Sequence, residues 1–269
     1  MQKRVFLKSL LLVPALGALG LTAACGKKEV SIKVGATAGP HAEVVQAAAK
    51  EAAKGGLKVE VVEFTDYLGP DKALAEKALD LNVYQHEPFL KNFNANQKTD
   101  LVPVGRAILM RMGIYSNKVK SVGELREGAL VGIPNDPTNG GRGLQLLEAA
   151  GLIKLKEGAG FKATVADVVE NPKKLVLKEL EAAQLPRSLD DLDAAAITMN
   201  YVMSAGLDPA RQGIFLEDKD APLAVMVIAA RPDNKDSDAV KQFVKAYQSD
   251  AVKQFIAEKY RGTIVPAWL

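Results

Sequence analysis

From Ile32 onward the chain alternates between short apolar, β-branched runs and longer segments with helical spacing. Ile32–Val34 predicts a strand that runs into Gly-Ala-Thr-Ala-Gly-Pro, after which residues 41–54 carry helical spacing. Leu57–Phe64 reads Leu-Lys-Val-Glu-Val-Val-Glu-Phe, largely period-two, and predicts a strand. A short helix is expected over 71–80, and the apolar stretch from Leu101 to Tyr115 reads as strand and crossover. Further strands are predicted at 129–134, 175–180, 194–198, 213–216 and 223–229, with a helix from about Asn139 to Ala150. Near the C-terminus Asp-Ala-Val-Lys-Gln-Phe occurs at 238–243 and again at 250–255. Each copy follows a serine, Ser237 or Ser249, suited to cap a helix. Val240, Phe243, Val244 and Tyr247 then fall on one helical face. Two consecutive helices are expected, since a hexapeptide copied once is far short of a repeat architecture. The alternation as a whole predicts an α/β protein with largely parallel sheets.

The first residues have a different character. Lys3, Arg4 and Lys8 precede an apolar run from Ser9 to Leu21, which ends in Thr22-Ala23-Ala24-Cys25. Charged, apolar and small-residue segments in that order read as a secretory signal over 1–24, with Cys25 as the lipidation site and 25–30 as a polar tether. Thr22 stands at the −3 position, where such signals usually carry leucine. An ordinary signal peptide or an N-terminal membrane helix is the alternative. The run contains Pro14, Gly17 and Gly20 and is short for a span that needs about 20 residues.

Setting the signal aside changes the charge. The chain has 35 basic and 32 acidic residues, and the signal holds three basic residues and no acidic one. The remainder is therefore balanced and gives no reason to expect a nucleic-acid partner. Cys25 is the only cysteine, so no disulfide is available, and a 48% hydrophobic composition must supply the core. The expected product is a soluble body tethered by lipid in the cell envelope, facing the periplasm or the exterior.

Four segments are candidates for chemistry. Ile133-Pro-Asn-Asp-Pro-Thr-Asn-Gly-Gly-Arg142 follows a predicted strand and opens a predicted helix, with Asn139 placed to cap it. Arg142 would lie in the first turn, where free N–H groups already favour an anion and a guanidinium takes a carboxylate bidentately. The same residues read equally well as an Asn/Pro-rich turn with a surface arginine. Asn82–Phe89 gathers Tyr84, Gln85, His86 and Phe89, groups able to hold an apolar ligand end and to bond its polar end. Pattern alone favours a strand-to-helix join with a core histidine. Gly35–His41 is a weaker anion-site signal, and Thr198-Met-Asn200-Tyr201 offers an amide for a ligand or for a cap. No catalytic set assembles, and His41 and His86 lack the spacing of a metal site. Asp190, Asp191, Glu217, Asp218 and Asp220 read as solvated loop carboxylates.

Taken together, Val34–Glu43, Tyr84–His86, Ile133–Asn139 with Arg142, Asp167–Pro172, Gln184–Asp191 and Lys245–Ser249 resemble the NlpA/MetQ family of methionine-binding lipoproteins, over nearly the whole chain after the signal. The resemblance implies a two-lobed, periplasmic-binding-protein-like (type II) α/β fold. One lobe would hold 31–113 plus 221–269, the other 114–220, with the ligand in the cleft between them. It implies that Arg142 binds an amino-acid carboxylate, that Tyr84, Gln85 and His86, with Tyr67 and Phe64, enclose the side chain, and that Asn139, Asn200 and Thr198 line the polar end. It implies no enzyme and no cofactor. The expected role is delivery of methionine, L-methionine first, to the permease of an ABC importer. The alternatives are another amino acid, a methionine derivative or methionine-containing dipeptide, and a non-transport surface lipoprotein or adhesin. Thr198, Arg111 and Leu223–Val225 depart from the usual family pattern. Arg111 in the cleft would admit a second negative group on the ligand; a surface position is the preferred reading.

Overall fold

The computed structural model describes residues 30–268; the signal segment 1–24, Cys25 and Leu269 lie outside them. The elements in chain order are β1 (Val30–Thr37), α1 (Pro40–Lys54), β2 (Leu57–Phe64), α2 (Gly69–Ala75), β3 (Leu81–His86), α3 (Glu87–Gln97), β4 (Val102–Leu109), β5 (Met112–Tyr115), β6 (Leu130–Pro134) and α4 (Pro137–Ala149). They continue with β7 (Lys154–Leu155), β8 (Val168–Glu170), β9 (Val176–Leu180), β10 (Ala194–Thr198), α5 (Met199–Ser204), α6 (Pro209–Gln212), β11 (Gly213–Leu216), β12 (Val225–Ala230), α7 (Asp238–Tyr247), α8 (Asp250–Tyr260) and β13 (Val265–Pro266). None of the described helices is long and apolar enough to cross a membrane.

The strands form two main sheets. The first has the order β13-β4-β12-β3-β1-β2 and the second β11-β5-β10-β6-β9. Both are mixed, which corrects the expectation of largely parallel sheets. β1 pairs in parallel with β2 and β3, and β6 with β9 and β10, through helical crossovers. β4, β5, β11 and β12 pair antiparallel with their neighbours. These four are the strands through which the chain passes between sheets, at 110–111 and again at 217–224. Those joins contain no α-helix and link strands of different sheets.

Sequence and local structure agree closely at the C-terminus. Ser237 Oγ accepts from the Val240 N–H, and Ser249 Oγ from the Val252 N–H. Val240, Phe243 and Tyr247 are buried against α1 and the first sheet. Elsewhere the structure differs. The helix expected at 71–80 occupies 69–75, because Lys77 turns left-handed (φ 65°) and the Ala78 N–H closes back on the Ala73 carbonyl. That is a Schellman ending, which stops the helix and frees Leu79 and Asp80 to lead into β3. β3 itself is a fully buried central strand, although Asn82, Gln85 and His86 break its apolar run. Its polar side chains are paid for by partners described below.

Candidate functional site

α4 begins one turn earlier than its sequence suggested. Pro137 has the fixed φ suited to the first helical position, so Asp136, and not Asn139, is the N-cap and accepts from the Asn139 N–H at 2.9 Å. Arg142 consequently sits in the second turn, beyond the strongest part of the helix dipole. Asn139, released from capping, points its side chain into the space between the two sheets. Its Nδ2 donates to both Asp136 oxygens and its Oδ1 lies 3.2 Å from His86 Nε2.

His86 caps α3. Its Nδ1 accepts from the Phe89 N–H, which places the ring proton on Nε2 as the donor to Asn139. Burial holds its pKa down to about 3, and the Arg142 charge adds to the effect. The imidazole is therefore neutral and joins the first sheet to α4 through one directed hydrogen bond. Tyr67 makes a second joint. Its hydroxyl donates to Asn200 Oδ1 at 2.6 Å and accepts from Thr198 Oγ1 at 2.8 Å. Tyr201 donates to the Thr65 carbonyl, and Ser204 to that of Ala38.

These residues wall a narrow cavity of about 20 Å³. One side is aromatic: Tyr67 lies 6.0 Å from Tyr84 and 5.9 Å from Phe89 between ring centres, and Tyr84 lies 6.1 Å from Phe89. Met110, Met199 and Met226 add three thioethers, and His41, Gln85, Asn139, Arg142, Thr198 and Asn200 supply polarity. Asn200 Nδ2, Gln85 Oε1 and His41 Nδ1 are buried without a hydrogen-bond partner among the described residues. Unpaired buried groups of both kinds are uncommon and mark a surface shaped for a polar guest.

Arg142 is buried and already partnered. Nε and Nη2 donate to Glu217 Oε1 and Oε2 at 2.9 and 2.5 Å, and Nη2 also reaches the Met110 carbonyl. The Nη1 edge makes no hydrogen bond among the described residues. Glu217 is thus not a solvated loop carboxylate: its side chain is only 12% exposed. Its place in the charged run Glu-Asp-Lys-Asp hides this, and only its register beside Met112 sets it apart.

Gln85 is fixed from behind. Its Nε2 donates to Asp71 Oδ1 at 2.6 Å and to Asn82 Oδ1, while Asn82 Nδ2 donates to the same Asp71 oxygen. Asp71 is fully buried, and burial raises its pKa to about 6.

The cavity gathers Tyr67, Tyr84, Gln85, His86, Asn139, Arg142, Thr198 and Asn200 from distant parts of the sequence. Phe64 is the exception. It ends β2 and packs beside Val62, Ala73 and Ala75 on the cluster of Leu74, Leu79, Leu90 and Phe93, where strand alternation turns it away from the cavity. Arg111, half-buried in the first crossover, is not among the lining residues either, so nothing in the cavity wall calls for a second negative group. Sequence reasoning missed the three methionines as a set, His41 as a lining residue, and Glu217. No group of three or more His, Cys, Asp or Glu among the described residues could hold a metal ion.

Comparison with known proteins agrees with this architecture. The family model described as NlpA lipoprotein matches residues 32–268. The chain is 46% identical to Outer membrane lipoprotein 3 of Mannheimia haemolytica over 255 residues, covering 94% of this chain and 96% of that one. It is 47% identical over 270 residues to the D-methionine-binding lipoprotein MetQ of Yersinia pestis, covering 97% and 98%. A solved nutrient-binding protein from Burkholderia cenocepacia, bound to methionine, superposes with a TM-score of 0.85 at 46% identity, covering 88% of this chain and 99% of that one. Two mixed sheets with a walled cavity between them, and relatives of this similarity over nearly full length, place the chain in the NlpA lipoprotein family.

Proposed function

We propose that this chain is a lipid-anchored, extracytoplasmic substrate-binding protein that delivers methionine to an ABC importer. The observation that carries this is the cavity wall. A buried guanidinium with one free edge stands in the same enclosure as three thioethers and an aromatic cluster. An amino acid with a long apolar, sulfur-bearing side chain matches both ends. Arg142 Nη1 and Asn200 Nδ2 donate to its carboxylate, and Gln85 Oε1 accepts from its ammonium. Met110, Met199, Met226, Tyr84 and Phe89 surround the thioether. Sulfur–aromatic contacts contribute about 0.3–1.5 kcal/mol each, so enclosure and shape carry most of the selectivity.

Charge supports a zwitterion over a dianion. Arg142 is balanced by Glu217, and Asp136 is satisfied by Asn139, so an extra negative group on the ligand would meet no free cation in the wall. On this reading the lobes, expected as 31–113 plus 221–269 and 114–220, divide at the crossovers 110–111 and 217–224 with β5 wholly in the second, and their closure buries the ligand and presents a two-lobed face to the permease. Cys25 carries the acyl chains, and more than one chain is needed for firm anchoring. The name of the Yersinia relative specifies the D-enantiomer, so both hands are tested. Chiral analysis and mass spectrometry of material released from natively purified protein are expected to return about one methionine per chain. A different amino acid or a dipeptide released in that amount would overturn the assignment.

A further inference from the structure

Glu217 does more than neutralise Arg142. Its Oε2 accepts from both Arg142 Nη2 and the Met112 N–H, and its own N–H donates to the Met112 carbonyl at 2.9 Å. Arg142 Nη2 donates in addition to the Met110 carbonyl at 3.0 Å. The Met110 N–H in turn donates to the Ala224 carbonyl at 2.7 Å. Both passages of the chain between the sheets, at 110–111 and at 217–224, are therefore drawn together around one guanidinium. Arg142 borders the inner cavity on one side. On the other, with Glu217, it borders an outer groove beside Ala221, Pro222 and Leu223.

We propose that Glu217 is a positioning residue that ties the ligand-binding arginine to the two crossovers, so that Arg142 reaches its binding pose only when the crossovers hold the lobes closed. This rests on the reading of Arg142 as the carboxylate-binding group. The chemistry of the pair argues for geometry over charge. A carboxylate whose only task was neutralisation would oppose binding of a second carboxylate, and a single-point contact would serve. Here the side-on bidentate fork fixes the plane of the guanidinium and leaves Nη1 as its free edge. The carboxylate that sets this plane belongs to the second crossover and accepts from Met112, which opens β5 directly after the first, while the same guanidinium holds the Met110 carbonyl of the first. Rotation of one lobe against the other pulls on the crossovers at Met110 and Glu217, and movement of either tilts the guanidinium that both hold. Binding competence is then a property of the closed population, and apparent affinity scales with that population.

Two substitutions separate the roles. Glu217→Gln keeps the shape but cannot accept from Arg142 Nε, Arg142 Nη2 and the Met112 N–H together. Glu217→Asp keeps the charge but is one methylene short of spanning Arg142 and the Met112 N–H. Methionine binding and dissociation are measured by stopped flow for each variant. Interlobe energy transfer is followed between dyes on Lys50→Cys and Lys156→Cys in the ligand-stripped full chain with Cys25 blocked. Both variants are expected to weaken methionine binding at least tenfold, through faster dissociation with association nearly unchanged, and to lower the high-transfer population. In an Arg142→Ala background, Glu217→Gln should change residual binding less than twofold. Wild-type behaviour of Glu217→Asp, tighter binding by Glu217→Gln, or unchanged energy transfer in both would overturn the proposal. The energy-transfer result does not depend on ligand identity. Failure of wild-type protein to bind methionine would therefore count against the ligand reading and leave the proposed coupling to be decided by that signal.

Discussion

Replacing Arg142 with alanine is expected to weaken methionine binding by at least 100-fold while leaving the fold intact. Truncating one member of a buried, hydrogen-bonded charge pair typically costs about 2–5 kcal/mol of binding, which corresponds to roughly 30-fold to several thousand-fold in affinity. The high end applies where the ligand carboxylate loses its cation, and among the described residues Arg142 is the one basic side chain in the cavity wall with a permanent charge. The fold should survive because Glu217, though largely covered, retains an exposed edge through which it can turn to water. Arg142→Lys tests the geometry separately. A point ammonium cannot span both Glu217 oxygens and face the cavity, so it is expected to recover only a small part of the loss. Isothermal calorimetry of ligand-stripped variants, with circular dichroism as the check on folding, reads both results. Binding by Arg142→Ala within threefold of wild type would remove the arginine from the recognition site.

A second large effect is expected from acid. His41 and His86 are the only histidines, and burial lowers each to about 3, with the Arg142 charge adding to the effect at His86. Below about pH 6.5 the unfolded chain takes a proton at each histidine that the folded chain refuses. Stability from this source is present above that pH and is lost as pH falls towards 3, at up to about 1.4 kcal/mol per pH unit for each histidine. Asp71 acts in the opposite sense. Its folded pKa is raised to about 6 by burial, so its contribution is full below the ordinary carboxylate range and is lost as pH rises through 6. Between pH 6 and pH 4 one of the two histidine effects is offset, leaving a net loss of roughly 3 kcal/mol from these three groups. Urea unfolding of ligand-stripped protein at the two pH values measures it. His86→Gln keeps a side-chain donor in place of Nε2 and removes one titration, so its loss over the same interval should be smaller by roughly 3 kcal/mol. An identical pH dependence in wild type and His86→Gln would show that His86 titrates normally in the folded chain.

Local chemistry explains which parts of this molecule were legible in its sequence. The serine-capped helices α7 and α8 are plain because pattern, cap and burial all point the same way. The strand-to-helix join with a core histidine at β3 and α3 is legible too, but the polar residues of β3 hide that it is central and fully buried. A central strand that carries Asn82, Gln85 and His86 contradicts the apolar rule, and it does so because those side chains meet Asp71, Asn139 and the cavity. The site candidates came from turn chemistry and from resemblance, and the proline at 137 was the clue that Asp136 rather than Asn139 would cap α4. Phe64 was misplaced because aromatic character says nothing about which face of a strand a residue occupies. Glu217 could not be read at all. Its neighbours are charged and exposed, and its role depends on a contact with a residue 75 positions away.

The measurement that reaches the ligand assignment most directly is calorimetry of the refolded, ligand-stripped wild-type chain against L-methionine, D-methionine, leucine, glutamate and a methionine-containing dipeptide. One-to-one saturation is expected, tightest with methionine of one hand, with glutamate giving no heat. Absence of heat with both methionine enantiomers, together with saturation by another member of the panel, would contradict the assignment and move the recognition chemistry of this cavity to that ligand.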